Sequence, residues 1–133
     1  MILYSKEHVW INTGIMDNPE TVTAGITEYA VKELKEIVLV ELGNSQRVVK
    51  RGDEMGSIES VKAVSSVVCP FDCTIEAVNP EPERDPAAMN ALSKDAALWL
   101  YRLRPADKDW KDGLMDGEAY RKYLKEELGY EAD

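Results

Sequence analysis

Glu59-Ser60-Val61-Lys62-Ala63 stands near the middle of the chain between two strand-like runs. Glu54-Met55-Gly56-Ser57-Ile58 precedes it, and Val64-Ser65-Ser66-Val67-Val68-Cys69 follows. Together they predict a hairpin with Lys62 at its tip. A primary amine held there on a flexible stem is open to solvent and nucleophilic when deprotonated. That combination suits amide-linked modification. The rest of the chain then reads as a rigid mount for this tip.

Working back from the hairpin, Arg51-Gly52-Asp53 is a turn and Gln46–Lys50 a short edge-like strand. Ile37-Val38-Leu39-Val40 is a continuous apolar run, as expected of a strand buried on both faces. A short helix precedes it. Thr27 is its expected N-cap, Glu28 favours its first turn, and Ala30, Val31, Leu34 and Ile37 share one apolar face. Thr21–Ile26 reads as a strand, Asp17-Asn18-Pro19 as a turn, and residues 2–4 and 8–13 as a first hairpin or a bent strand.

Working forward, a turn follows Cys69, and Thr74–Asn79 alternates like a half-buried strand. Pro80-Glu81-Pro82-Glu83-Arg84 excludes a central strand or a helix interior and predicts a surface connection. Asp85 reads as a helix cap ahead of Pro86. Leu98–Arg104 is the last strand, with Leu98, Leu100 and Arg102 on one face and Trp99, Tyr101 and Leu103 on the other. Met115, Ala119, Tyr120, Tyr123, Leu124 and Leu128 stripe a C-terminal helix near residues 115–129, stopped by Gly129 and expected to pack on the sheet. Eight or nine short strands predict a mainly β sandwich or barrel-like fold with accessory helices. At 133 residues the chain reads as one domain.

Twenty-five acidic against 16 basic residues argue against nucleic acid as a partner, because phosphate binding needs clustered cations. The same balance suits docking on basic surfaces of larger enzymes. No apolar run reaches the roughly 20 residues that span a bilayer. The N-terminus shows no charged leader followed by an apolar core, so the chain reads as cytoplasmic, or as the mature form of an imported protein. Cys69 and Cys73 flank Pro70-Phe71-Asp72. In an extended segment their Cα atoms would lie about 13 Å apart, and only a tight turn would bring them within disulfide reach. Cys69 lies in an apolar run and reads as a core residue, while Cys73 is expected to be exposed. His8, the single histidine, reads as a packed strand residue beside Trp10. One histidine and two cysteines make a poor zinc set, so no metal is expected.

The residues around this framework resemble the H protein of the glycine cleavage system. The likeness runs through Tyr4-Ser5-x-x-His8-x-Trp10, Gly25-Ile26-Thr27-Glu28-Tyr29-Ala30, Ile37–Leu42 and Gly56-Ser57-Ile58-Glu59-Ser60-Val61-Lys62-Ala63. It continues through Cys69-Pro70, Glu76–Asn79, Trp99-Leu100, Pro105-Ala106-Asp107 and Glu118-Ala119-Tyr120. A biotin carrier would show Met-Lys-Met at the lysine, and acyltransferase lipoyl domains usually show Asp-Lys-Ala. The resemblance implies a barrel-sandwich hybrid fold and a monomeric, non-catalytic carrier. It matches Lys62 to a lipoyl-lysine, with lipoate attached by a lipoate-protein ligase or lipoyltransferase. Glu59, Ser60, Val61 and Ala63 frame the modification, Glu59 orienting the tip or being read by the lipoylating enzyme. The arm would receive an aminomethyl group at glycine decarboxylase, present it to an aminomethyltransferase and be reoxidised by dihydrolipoyl dehydrogenase.

The chain also departs from that pattern. Lys35-Glu36 replaces the usual Gly-Asp, Leu92–Trp99 replaces a glycine-rich turn, and Cys73 stands where a glycine is expected, so these loops are expected to differ in shape. An alternative is a lipoate-binding relative that serves sulfur oxidation beside a heterodisulfide-reductase-like complex. Cys69 and Cys73 are candidate redox thiols, and with the altered loops they lean toward that alternative.

Overall fold

The computed structural model describes residues 1–14 and 20–131. The turn expected at Asp17-Asn18-Pro19 lies outside them. Strands β1 (Ile2–Tyr4) and β2 (Val9–Asn12) form the first hairpin, pairing Leu3 with Ile11. Strand β3 (Val22–Ile26) pairs with β2, and Gly25 lies under the indole of Trp10. A Cβ at Gly25 would come within 2.6 Å of that ring. Helix α1 (Glu28–Leu34) follows because the Thr27 side chain accepts from the Ala30 N–H at 3.3 Å. It buries Val31 and Leu34.

Strands β4 (Ile37–Glu41), β5 (Arg47–Val49), β6 (Glu54–Ser60), β7 (Val64–Val68) and β8 (Cys73–Val78) come next. Helices α2 (Glu81–Arg84) and α3 (Ala87–Ala91) lead to β9 (Tyr101–Pro105) and to α4 (Gly117–Leu128). The strands make two antiparallel sheets that are not closed into a barrel. One runs β1-β2-β3-β9-β8-β5 and the other β4-β6-β7. Ile11, Ala24, Ile75 and Leu103 from the first meet Ile37, Val40, Ile58 and Val67 from the second in one apolar core. The fold is mainly β, as the alternation and the turn spacing indicate. Helix α4 is N-capped by Asp116 and ended by Gly129 at φ +66°. It packs Tyr120 and Leu124 on Tyr4 and Trp10, and the Tyr4 and Tyr120 rings stack 4.4 Å apart.

Several local expectations are corrected. Strand β4 buries only Ile37 and Val40, while Val38 and Leu39 are exposed. The cause is its edge position and a register shift between Ile37 and Leu39, which turns two successive side chains outward. Glu81–Arg84 is a one-turn helix, because its prolines fall at the first positions, where an N–H has no helical partner anyway. The Asp85 carboxylate does not cap α3. Pro86 takes the cap position, and the Asp85 carbonyl accepts from the Ala88 N–H. Strand β9 begins only at Tyr101, and Leu100 and Tyr101 are both fully buried, which breaks the expected two-face alternation. Leu128, counted in the apolar stripe of α4, is exposed. His8 precedes β2, at φ +70°, with its Nδ1 2.8 Å from the Tyr120 hydroxyl.

Lys35 holds φ +69° and ψ −136°, a region disfavoured for any residue with a Cβ. Replacing it with glycine relieves that strain, at the cost of a looser unfolded chain. Lys35→Gly is therefore expected to stabilise the fold by about 1 kcal/mol, read as a raised urea midpoint with an unchanged slope. Burial holds the His8 imidazole below its ordinary pKa of 6.5, against the opposing charges of Glu7 and Glu33. The folded chain thus binds fewer protons at His8 than the unfolded chain. This contribution is complete above the unfolded pKa and is lost as pH falls through the folded one. Between about pH 7 and about pH 5 the melting temperature of the wild type should fall more steeply than that of His8→Asn, a residue that tolerates positive φ.

Candidate functional site

The hairpin β6–β7 is built by alternation. Its ladder pairs Glu59 with Val64, Ile58 with Ser65 and Ser57 with Ser66. Ile58 and Ser60 point inward and are buried, while Glu59 is exposed. The turn between the strands is closed by Ser60. Its Oγ accepts from the Lys62 N–H at 3.1 Å and the Ala63 N–H at 3.0 Å, and donates to the Ala63 carbonyl at 3.2 Å. One hydroxyl donor and two lone pairs are all used. The Ser60 N–H donates to the same carbonyl at 2.8 Å. The Val61 N–H reaches the Glu36 carbonyl at 3.0 Å and so ties the tip to the link between α1 and β4.

Lys62 is exposed on this clamped turn. Its Nζ donates to the backbone carbonyl of Glu33, 3.3 Å away in the last turn of α1. That carbonyl is one of the acceptors a helix end leaves unpartnered, and the negative end of the helix dipole favours a cation there. Glu33 was not legible as a neighbour of the amine. Only the contact between the tip and the α1–β4 link places it there.

Apolar side chains border the amine. Val61 is 67% exposed and Val64 65% exposed, and Leu39 lies in the same row as Glu59 and Val64 on the outer face of the small sheet. Glu59 therefore stands between two apolar neighbours rather than in a cluster of charges. The sequence motif carried no sign of this surface, because Val38 and Leu39 read as core.

The remaining candidates lie elsewhere. Cys69 and Cys73 are at the far end of β7 and are both buried, which corrects the expected exposure of Cys73. Residues Pro70, Phe71 and Asp72 make the tight turn that spacing alone left open, and it brings the two sulfurs to 3.8 Å as free thiols. His8 is packed among Tyr29, Tyr120 and Tyr123. Trp10 is core, and Trp110 packs on Phe71 with ring centroids 4.9 Å apart. Among the described residues, no helix is long and apolar enough to cross a membrane.

The family model described as glycine cleavage H-protein matches residues 2–127. A probable glycine cleavage system H protein of Thermococcus gammatolerans is 40% identical over 126 residues, covering 93% of this chain and 90% of that protein. The glycine cleavage system H protein of Nitrosospira multiformis is 38% identical over 125 residues, with 93% and 92% covered. The crystal structure of a glycine cleavage system H protein from Mycobacterium marinum superposes with a TM-score of 0.80 at 29% identity, covering 97% of each chain. The matched span includes the clamped turn and its lysine, and the chain belongs to the glycine cleavage H-protein family.

Proposed function

We propose that Lys62 is the lipoylation site and that the chain is the lipoyl carrier of the glycine cleavage system. The observation that carries this reading is the exposed amine on a turn whose backbone is hydrogen-bonded through Ser60. It lies within the family-matched span. A dithiolane bound there supplies reversible opening and closing of an S–S bond.

The chain's own residues hold and present the anchor. Ser60 and the Glu36 carbonyl fix the backbone of the tip, so mobility is confined to the side chain beyond Cα. Acylating Nζ removes its charge but leaves one N–H, which can keep the Glu33 carbonyl satisfied. A fixed anchor with a mobile tether raises the concentration of the reactive end at each enzyme it visits. In this reading the chain supplies no catalytic group. A lipoate-protein ligase or lipoyltransferase loads it, and glycine decarboxylase, aminomethyltransferase and dihydrolipoyl dehydrogenase use it in turn. The net charge of −9 favours encounter with basic rims on those partners. The relatives named above favour glycine cleavage over the sulfur-oxidation alternative.

Intact mass after incubation with lipoate, ATP and a lipoate-protein ligase tests the site. One lipoyl group on wild type and none on Lys62→Arg is the expected pattern. Lipoyl on Lys62→Arg would overturn the assignment. The loaded wild type should then support glycine-dependent CO2 release by glycine decarboxylase. Verified lipoyl protein that gives no release would overturn the pathway while leaving the site intact.

Ser60→Ala strands two N–H groups in the turn. It should lower stability by about 1–2 kcal/mol and slow lipoylation without abolishing it. An unchanged urea midpoint would show that the clamp contributes nothing.

A further inference from the structure

We propose that Cys69 and Cys73 form a redox-active dithiol that exchanges with anionic low-molecular-weight disulfides, Cys69 attacking and Cys73 resolving. The two sulfurs are 3.8 Å apart, about twice a disulfide bond length, across a turn of three residues. The turn is firmly seated. The Cys69 N–H donates to the Asp53 carbonyl at 2.8 Å, and the Cys69 carbonyl accepts from the Gly52 N–H at 2.9 Å. The Asp72 carboxylate accepts from the Arg51 N–H at 2.9 Å, and Phe71 is buried against Trp110. Small side-chain rotations can therefore close the S–S bond while the backbone stays in place.

The two thiols are not equivalent. Cys69, and not Cys73, lines a cavity of about 340 Å3, a volume typical of small-molecule sites. Lys6 and Arg51 also line it, against a single carboxylate from Glu7. Two cations to one anion select an anionic ligand. The Cys69 S–H donates to the Phe71 carbonyl at 3.0 Å, and the contact of its sulfur with that of Cys73 holds the Cys69 thiol below its ordinary range. The same contact pushes the Cys73 thiol far up, with burial adding to it. The pair lies about 20 Å along the chain from Lys62, and Cys69, though buried, is among the residues lining a separate cavity, so the oxidant comes from solution rather than from the chain's own arm.

The exchange balances in two steps. The Cys69 thiolate attacks one sulfur of the disulfide, forming a mixed disulfide and releasing one thiolate, which takes up the proton Cys69 lost. Cys69 then carries no charge, so the main cause of the high Cys73 pKa is gone. Cys73 gives up its proton and attacks the Cys69 sulfur. The second thiol leaves, and an internal disulfide remains. Two thiols have been oxidised and one disulfide reduced, with two electrons passed.

The test uses the full chain carrying Lys62→Arg, so that no dithiolane contributes, with glutathione disulfide as probe. Native protein should lose the mass of two hydrogens, at a rate that rises linearly with probe concentration. The added Cys73→Ser change should trap one glutathionyl group on Cys69, and Cys69→Ser should trap none. Neutralising the cavity with Lys6→Gln and Arg51→Gln should slow the reaction several-fold, by up to about tenfold at low salt. Its rate with neutral hydroxyethyl disulfide should not change. Two intact thiols in the native chain, beside oxidation of the urea-unfolded chain, would overturn the proposal. So would a native rate that saturates at the global unfolding rate, a readout that needs no cysteine variant. A glutathionyl group trapped on Cys73 would reverse the assigned roles. Equal slowing with both disulfides would remove the preference for an anionic one.

Discussion

The hydroxyl of Tyr101 donates to the carbonyl of Leu42 at 2.9 Å, with both residues fully buried. Tyr101 belongs to the six-stranded sheet, and Leu42 directly follows β4 of the small sheet. The Arg47 guanidinium donates to the same carbonyl at 2.9 Å and to the Met55 carbonyl at 3.0 Å. A buried hydroxyl needs a partner, and this one is available only when the two sheets sit in one relation to each other. Gly56 makes the approach possible. A Cβ there would overlap the Tyr101 hydroxyl and come within 2.6 Å of the Glu41 carbonyl. Burial pushes the Tyr101 hydroxyl well up, so it stays a donor at any ordinary pH. The base of the lysine hairpin is thereby fixed to the larger sheet, and its tip inherits that position.

From that joint outward, order is kept in the backbone and withheld from one side chain. The β6–β7 ladder runs from Glu54–Val68 to Glu59–Val64, and Ser60 closes what the ladder leaves open. Lys62 is held by a single exposed contact at 3.3 Å. A tether gains most when its anchor is fixed and its arm is free, because the anchor's entropy has been given up on folding rather than at each encounter. Exposed apolar residues beside Lys62 would ordinarily invite association. Glu59 between Leu39 and Val64, with Ser65 and Ser66 along β7, breaks the surface into small pieces. The acidic surplus adds like-charge repulsion between copies.

Most of this was legible from period and punctuation. The hairpin around Lys62, the Thr27 cap, the Gly129 stop and the edge position of β5 each follow from a few neighbouring residues. The misses at Val38, Leu39, Cys73 and His8 share a cause, since each depends on contacts distant in sequence. Val38 and Leu39 read as core because a run of apolar residues does not reveal a register shift against β6. Cys73 read as exposed because its place depends on β5 and β9 closing over it. His8 read as a strand residue, but its carbonyl accepts from the Thr27 N–H at 3.0 Å and its ring meets the Tyr120 hydroxyl, 112 positions away. Family resemblance located Lys62, but it could not say that Ser60 uses its whole hydrogen-bonding capacity on the turn.

Lys35 and Ala96 stand in segments where the family usually places glycine, and both keep positive φ, +69° and +65°. At Lys35 the surroundings enforce it. Asn90 donates to the Lys35 carbonyl at 2.7 Å and accepts from the Ile37 N–H at 3.0 Å, bracketing the turn from both sides. The strained backbone there is held by two hydrogen bonds from α3. Cys73 is a different case. It lies in regular β8 pairing with Val49 and Pro105, where a Cβ meets no conformational objection. Its sulfur points into the core and meets a second sulfur at 3.8 Å. The two positions thus differ in kind. At Lys35 the fold holds a positive φ under strain. At Cys73 the backbone is regular, and the side chain stands beside a second thiol that lines a cavity.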